Sequence, residues 1–395
     1  MTFSALRQRR SWPKALLVTL AAALAAAPLA LAWGAGHARV EDYLGPHRAT
    51  FASNYSGELA VDLGPIGNAY LPSPIAPLGA TVIVRGIGAP AEPTGALLSE
   101  RTLTAYASLY TDPAGVAQGI VERLREQAVV EGAQAEAVLL LLFVAFRTRS
   151  RWLSPALARP LTNRRALLAY ATVLVLVAGA VLVPDPRPGL RIPVTLAGND
   201  PRFARLSVDS LLLADLLDRG IKGVRLLAAR QQRAVDDYVD TAAASLSGQL
   251  AALPAPRRGE TMVLGLSDLH CNQATTELIT RLVAVADPAL VISAGDDTVN
   301  GTAAERGCIS REAAIAGGRP FLVATGNHDS DLTEQQMTRE RMIVLDGAPV
   351  KAAGISVLGD DDPEYNIPFS VERVRDRAET EEEMAVRLVQ VARTR

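Results

Sequence analysis

Three short polar clusters in the second half of the sequence contain residue types that bind divalent metals. They are Asp-Leu-His at residues 268–270, Gly-Asp-Asp at 295–297 and Gly-Asn-His-Asp at 326–329. Aspartate and histidine are ligands for zinc, iron and manganese, and a carboxylate such as Asp296 can bridge two ions. Two ions about 3.5–4 Å apart can activate water and neutralise a phosphoryl group. The residue types of the clusters therefore suit a pair of divalent metal ions.

Each cluster directly follows a short apolar run that is typical of a strand. The three runs cover residues 262–266, 290–293 and 321–324. Residues 275–285, after the first cluster, have helical spacing, and this alternation predicts an α/β sheet. Ligands bind at the carboxyl ends of the strands of such sheets. We therefore expect the three clusters to meet at one edge of the sheet.

The order Asp-x-His, Gly-Asp, Gly-Asn-His-Asp resembles the calcineurin-like metallophosphoesterase family over residues 261 to about 362. The resemblance implies a β-sandwich flanked by helices, hydrolysis of phosphomonoesters or phosphodiesters, and two divalent ions (Mn, Fe or Zn). The membrane segments that precede this region also resemble a group of actinobacterial membrane phosphoesterases.

The resemblance assigns a metal-binding role to four residues. Asp268 and His270 are expected to bind the first ion, Asp296 to bridge both ions, and Asn327 to bind the second. A strand-end Asp-x-His alone is as compatible with a helix cap as with a metal site. The order of the three motifs favours the metal site.

Two further residues are assigned to catalysis by the same resemblance. His328 is expected to act near the leaving group as a proton donor or charge stabiliser, and Asp329 to orient its imidazole. Asp297, which follows the bridging position, is expected to hydrogen-bond its own loop.

The histidine count departs from the family pattern. The chain has four histidines, none after His328, whereas the family completes its metal sites with later histidines. The chain is expected to be either a fragment, which we favour, or a pseudoenzyme, and inactive alone in both cases. An incomplete β-sandwich follows from the first alternative, with a helix-like segment at residues 372–391 closing the chain.

Three apolar segments predict a membrane region before this domain. Residues 14–33 form a signal-like or, as we favour, uncleaved first span; residues 166–183 form the clearest span. Residues 128–146 are interpreted as a second span, or alternatively as a buried amphipathic helix. The arginine-rich residues 147–165 indicate a cytoplasmic loop, so three spans place everything after Pro184 outside the cytoplasm.

These observations predict five segments and a multi-pass membrane protein with an extracytoplasmic catalytic domain. The segments are residues 1–36 (cytoplasmic tail and first span), 37–126 (β-rich), 127–184 (membrane hairpin), 185–260 (linker and connector helix) and 261–395 (phosphoesterase domain). The expected partners are the lipid bilayer and a phosphate ester. The net charge of −2 argues against a nucleic-acid-binding surface.

Two other functions remain open at this stage. A catalytically inactive membrane sensor or scaffold would use the same domain to bind a partner. Transport is disfavoured, because no inverted repeat is visible and the clearest span carries no charge.

The two cysteines, Cys271 and Cys308, are both expected to flank the metal site. A disulfide is favoured, because paired thiols oxidise and persist outside the cytoplasm. Two buried free thiols and an additional metal ligand are the alternatives.

Overall fold

The chain forms two structural units in the computed structural model. The described residues are 12–85, 112–152, 175, 179, 189–194, 203–252, 254, 256–368 and 372–394. The first unit comprises Met1–Glu41, His47–Glu92 and Val121–Asp218; the second comprises Asp42–Pro46, Pro93–Ile120 and Arg219–Arg395. The second unit is thus assembled from three separate stretches of sequence, and all three polar clusters belong to its last stretch.

A seven-stranded sheet organises the first unit. Its strands are β1 (Arg39–Leu44), β2 (His47–Asn54), β3 (Glu58–Asp62), β4 (Asn68–Pro72), β5 (Gly79–Val84), β6 (Ile192–Pro193) and β7 (Ser207–Val208). They lie in the order β1-β2-β5-β3-β4-β7-β6. Alternation decides which face is inward: Ala49 and Phe51 of β2 are buried, and their neighbours are more exposed. The β-rich pattern predicted for residues 37–126 thus corresponds to strands within residues 39–84.

Among the described residues are three long helices, α1 (Trp12–His37), α2 (Pro113–Trp152) and α3 (Leu211–Ala251); α1 lies in the first unit, and α2 and α3 each have residues in both units. α2 begins earlier than the membrane hairpin predicted to start at residue 127. The reason is local, because Asp112 accepts a hydrogen bond from the Gly115 nitrogen at 2.9 Å and Pro113 is pre-organised for the first helical turn.

Two helical stretches are long and apolar enough to cross a membrane, Thr19–His37 and Pro113–Ala145. Because a signal sequence or the core helix of a soluble protein can have the same length and composition, the two stretches support membrane association but do not define a topology. The expectation of three spans is not met within the described residues. The predicted span at residues 166–183 lies outside them, apart from two isolated positions.

A four-stranded parallel sheet forms the centre of the second unit, in the order β11-β10-β9-β8. Its strands are β8 (Val263–Leu266), β9 (Leu290–Ser293), β10 (Phe321–Val323) and β11 (Ile343–Val344). The connecting helices are α4 (Gln273–Ala286), α5 (Arg306–Ala314) and α6 (Asp331–Arg339). The predicted α/β alternation is confirmed, because each predicted run coincides with a strand to within two residues.

The two faces of this sheet are covered differently. On one face, Val291 and Val323 pack with Ile309 of α5 and Met337 of α6. On the other face, Leu290, Leu322 and Leu345 pack against a hairpin of β12 (Val350–Ala352) and β13 (Ile355–Val357). This hairpin therefore forms part of a second layer on that face of the sheet, as the expected β-sandwich requires.

The predicted helix at residues 372–391 is shorter than expected. Its first residues form β15 (Arg373–Arg375), which pairs antiparallel with β14 (Glu364–Asn366). The helix α7 (Glu381–Arg393) starts only after Thr380, whose side chain caps the Glu383 nitrogen. The capping box, a strong helix start signal, therefore sets the boundary.

Candidate metal centre

Several residues in the loops after β8 and β9 have a backbone conformation that residues other than glycine rarely adopt. Asp268 has φ of 56°, His270 of 44°, Cys271 of 55° and Asp296 of 58°. A positive φ is unfavourable for residues with a Cβ atom and is concentrated at functional sites. The surrounding contacts must therefore hold these residues in place.

Those contacts are hydrogen bonds between the two loops. The backbone nitrogens of Asp268, His270 and Cys271 donate to the carbonyl oxygens of Gly295, Asp296 and Asp297, each at 2.9 Å. The parallel register of β8 and β9 is thus continued past the strand ends, which fixes the first polar cluster against the second.

The loop after β10 joins them through Asp296. The backbone nitrogen of His328 donates to the Oδ1 atom of Asp296 at 3.1 Å. A side chain at Gly326 would collide with the same aspartate, so glycine is required at this position. All three strand-end clusters therefore converge at one edge of the sheet, as the sequence predicts.

Three potential ligand groups lie together at this edge. Ligand atoms of His270, Asp296 and His328 are all within 4.8 Å of one another. The His270 Nε2 atom is 4.0 Å from Asp296 Oδ2 and 3.9 Å from Oδ1 of Asp268. Two imidazoles and two carboxylates form a donor set that suits zinc, iron or manganese.

Both imidazoles are oriented by backbone carbonyls. His270 Nδ1 lies 3.0 Å from the Thr298 oxygen, and His328 Nδ1 lies 2.8 Å from the Val299 oxygen. Because a carbonyl can only accept, each Nδ1 carries the hydrogen. The Nε2 lone pairs are then free, which is the tautomer a metal ligand needs.

Asn327 is buried next to these groups. Its Nδ2 atom has no hydrogen-bond partner in the part of the chain that the structure describes. An NH₂ group donates hydrogen bonds and cannot bind a cation, so the metal-binding atom of Asn327 would be its Oδ1 oxygen. Its expected role as a ligand of a second ion stays a prediction.

Asp329 does not orient the His328 ring, which bonds to Val299 instead. Its carboxylate accepts hydrogen bonds from the Thr298 nitrogen and hydroxyl at 2.8 and 2.7 Å, and from the nitrogens of Gly326 and Asp297 at 3.0 and 3.3 Å. Burial raises the pKa of Asp329 although these bonds act in the opposite direction. Through these bonds Asp329 stabilises both the loop that carries Asp296 and the loop that carries His328.

Asp297 and Glu312 form a pair of buried carboxyl groups next to the proposed metal centre. Ser293 donates to both oxygens of Asp297, at 2.8 and 3.0 Å. Burial, with the charge of Asp329 added, raises the pKa of Asp297 to about 7. Burial, and then the charge of the neighbouring Asp297, raise the pKa of Glu312 well above its ordinary range. Asp297 does hydrogen-bond within its own loop, as expected, and also to α5.

Sequence reasoning missed two acidic residues of this region, Glu305 and Glu312. Glu305 had a recognisable signal, because Thr302-Ala-Ala-Glu305 is a capping-box pattern and the structure contains that box. Glu312 had none, since an acidic residue within a short helix usually faces solvent.

Cys271 and Cys308 form a disulfide with their Cα atoms 5.2 Å apart, inside the usual range. The bond joins the residue after His270 to α5, the helix that carries Glu312. The disulfide therefore links the loop that carries His270 to α5, the helix that follows the Asp296 loop in the chain.

Residues 261–375 match the sequence model of one known family, the calcineurin-like phosphoesterases. This family uses divalent metals, and the match indicates a metal-dependent phosphoester hydrolase. The matched region includes every residue of the centre described above. No curated protein matches the chain.

Proposed function

We propose that this chain is a divalent-metal-dependent hydrolase of phosphate esters, with its active site at the three strand-end loops of residues 261–375. The observation that carries the proposal is the convergence of His270, Asp296 and His328 within 4.8 Å inside a region that matches calcineurin-like phosphoesterases. The substrate is a phosphomonoester or phosphodiester.

Bound divalent metal would activate water and offset the charge of the phosphoryl group. Asp268 and His270 are the proposed ligands of a first ion, Asp296 of both ions, and Asn327 of a second. The Thr298 carbonyl keeps the Nε2 lone pair of His270 available for coordination.

His328 is proposed to stabilise the charge of the leaving oxygen, or to protonate it from Nε2 when the ring is doubly protonated, because the Val299 carbonyl holds the Nδ1 hydrogen. Its ring is accessible, and its backbone nitrogen is held by Asp296. The Val299 carbonyl fixes the ring, so that Nε2 is the atom available to the substrate. Asp329 supports this arrangement from below through its bonds to Thr298 and Gly326.

We further propose that the protein is a multi-pass membrane protein whose phosphoesterase unit acts outside the cytoplasm. The two apolar helical stretches, Thr19–His37 and Pro113–Ala145, support membrane association, and the disulfide favours an oxidising compartment. A lipid headgroup or cell-envelope phosphate ester would then be within reach. A reporter fused near Pro155 should be active only inside the cytoplasm, and a reporter fused after Arg395 should be active only outside it. The opposite result would exclude this topology.

The enzymatic proposal is tested by hydrolysis of aryl phosphate monoesters and diesters by the full-length protein with added manganese. Asp296→Asn should abolish turnover and lower metal content, because it removes the shared carboxylate. Asp346→Asn, at an exposed turn, is the matched control and should behave as the wild type. Full turnover by Asp296→Asn would exclude the proposed site.

The alternative is a catalytically inactive membrane sensor or scaffold that uses the same domain to bind a partner. Stoichiometric manganese or zinc binding by the wild type, with no turnover of either ester class, would support this alternative over the enzyme.

A further inference from the structure

Glu305 makes more hydrogen bonds than its position in a capping box requires. The box explains its bonds to the Thr302 nitrogen and hydroxyl, at 2.8 and 3.0 Å. The same carboxylate also accepts from the Val299 nitrogen at 2.8 Å and from the Asn300 nitrogen at 3.1 Å. These two additional bonds lie outside the helix start and reach into the loop that follows Asp296.

The turn from Thr298 to Thr302 is held firmly at both ends. Asp329 accepts hydrogen bonds from the nitrogen and hydroxyl of Thr298, and Glu305 accepts from the nitrogens of Val299, Asn300 and Thr302. Burial raises the pKa of Glu305, although the hydrogen bonds act to lower it. Enclosing a carboxylate is unfavourable unless several donors satisfy it, and here the Val299, Asn300 and Thr302 nitrogens and the Thr302 hydroxyl offset that cost.

The clamped turn carries the two carbonyls that hold the site imidazoles. The Thr298 oxygen receives His270 Nδ1 and the Val299 oxygen receives His328 Nδ1. The two histidines come from different loops, yet their ring centroids are 4.7 Å apart with an interplanar angle of 83°. Consecutive carbonyls on one turn therefore set the relative orientation of both rings.

We propose that Glu305 is a positioning residue of the phosphoesterase site, which fixes the turn from Thr298 to Thr302 so that its carbonyls set the tautomer and direction of His270 and His328. The role assigned to these rings rests on the proposed function. Glu305 itself acts through the turn, two steps away from the metal and the substrate.

Glu305→Gln tests this role, because the amide replaces one acceptor oxygen by a donor that faces backbone N–H groups. Metal affinity of the full chain, measured by zinc or cobalt titration, should fall about 10–100-fold, as it does when groups that orient metal ligands are removed. Thr302→Ala is the matched control. This change removes the hydroxyl partner of the capping box. It leaves the Glu305 carboxylate that accepts from the Val299 and Asn300 nitrogens, so the variant should have a lower melting temperature and unchanged metal affinity.

Histidine-selective ¹⁵N NMR provides a readout that does not depend on hydrolysis. The chain has only four histidines, and His37 and His47 serve as internal references. In the metal-free wild type, His270 and His328 should be Nδ1-protonated; in Glu305→Gln, their signals should shift toward a mixture of tautomers while the references stay unchanged. An Nε2-protonated tautomer in the wild type would overturn the proposal, even if Glu305→Gln did not fold.

A merely structural cap would give a different result. Glu305→Gln would then lower the melting temperature while metal affinity and both tautomers stayed as in the wild type, which would also overturn the proposal. Both measurements are made without substrate. Lack of ester hydrolysis by the wild type would therefore count against the proposed function and leave the positioning role to be decided by the titration and the NMR spectra.

Discussion

The backbone nitrogen of His328 donates to the Oδ1 atom of Asp296, so the proposed catalytic ring and the proposed bridging carboxylate belong to one hydrogen-bonded unit. The main chain of His328 makes this bond, and its imidazole bonds separately to Val299. Replacing the ring therefore leaves the tie between the two loops intact.

His328→Ala should lower kcat about 10²–10⁴-fold, the usual contribution of a general acid, and leave metal content largely unchanged. The loss should be greater for an alkyl phosphate than for a p-nitrophenyl ester, whose leaving group needs no proton. Metal analysis and turnover with both esters are the measurements, with His47→Ala as the control. Loss of bound metal in His328→Ala would instead make His328 a ligand.

The disulfide should stabilise the second unit substantially. Its two cysteines are separated by 37 positions, and closing a loop of this size lowers the entropy of the unfolded chain, for about 2–4 kcal/mol of stability. The double variant Cys271→Ser with Cys308→Ser should therefore melt several degrees lower. Dithiothreitol should lower the melting temperature of the wild type to that of the double variant and leave the melting temperature of the double variant unchanged. Equal melting of wild type and double variant would contradict the prediction.

Gly119→Ala and Gly248→Ala should change stability in opposite directions. Gly119, in the first turns of α2, faces the backbone of Ala303, and a Cβ atom there would collide with its carbonyl; Gly248 of α3 has open space. Alanine in an exposed helix is about 0.5–1 kcal/mol more favourable than glycine, whereas overpacking costs about 1–3 kcal/mol. Thermal unfolding checks the signs, and stabilisation by both changes would rule out the close contact at Ala303.

Asp360→Asn should destabilise the second unit at neutral pH by about 1–3 kcal/mol, the cost of leaving buried hydrogen-bonding groups without their charged partner. The Asp360 side chain is only 2% exposed and pairs with Arg377 at 2.9 Å and Arg387 at 2.6 Å. Burial alone would raise the pKa of Asp360, but the hydrogen bonds from Arg387 and Arg377 hold it below its ordinary value.

The pH dependence of this effect follows from that lowered pKa. The carboxylate contributes stability at all pH values above the unfolded pKa near 4, and the contribution is lost as the pH falls through the lower folded pKa. The difference in melting temperature between wild type and Asp360→Asn should thus be constant near neutrality and shrink below about pH 4. A difference that grows in acid would show that Asp360 is not ion-paired; Asp346→Asn is again the control.

The convergence of the three polar clusters could be predicted from the sequence, because each directly follows an apolar run and parallel strands end at the same edge. The orientation of the histidines could not. It depends on carbonyl groups of Thr298 and Val299, and every residue has a carbonyl, so no side-chain pattern indicates which ones are used. The expected Asp329–His328 contact was wrong for the same reason.

The long-range contacts within the second unit could not be predicted from the sequence either. Asp112 pairs with Arg311 at 2.8 Å, and Asp42 accepts the Ala303 nitrogen at 3.2 Å. Neither aspartate differs in its local pattern from a solvated surface residue. A domain boundary at residue 261 was therefore predicted where the strand and helix alternation begins, although α5 also contacts much earlier residues.

The discontinuous second unit has a consequence for biosynthesis. Asp42 and Asp112 emerge from the ribosome long before Ala303 and Arg311, and a helix with an apolar stretch suited to membrane insertion, Pro113–Ala145, begins directly after Asp112. Chains grow at about 5–20 residues per second, so these early segments wait for many seconds before their partners are translated. The Cys271–Cys308 disulfide and the contacts of α5 with Asp42 and Asp112 can therefore form only after α5 has been translated, long after the two aspartates.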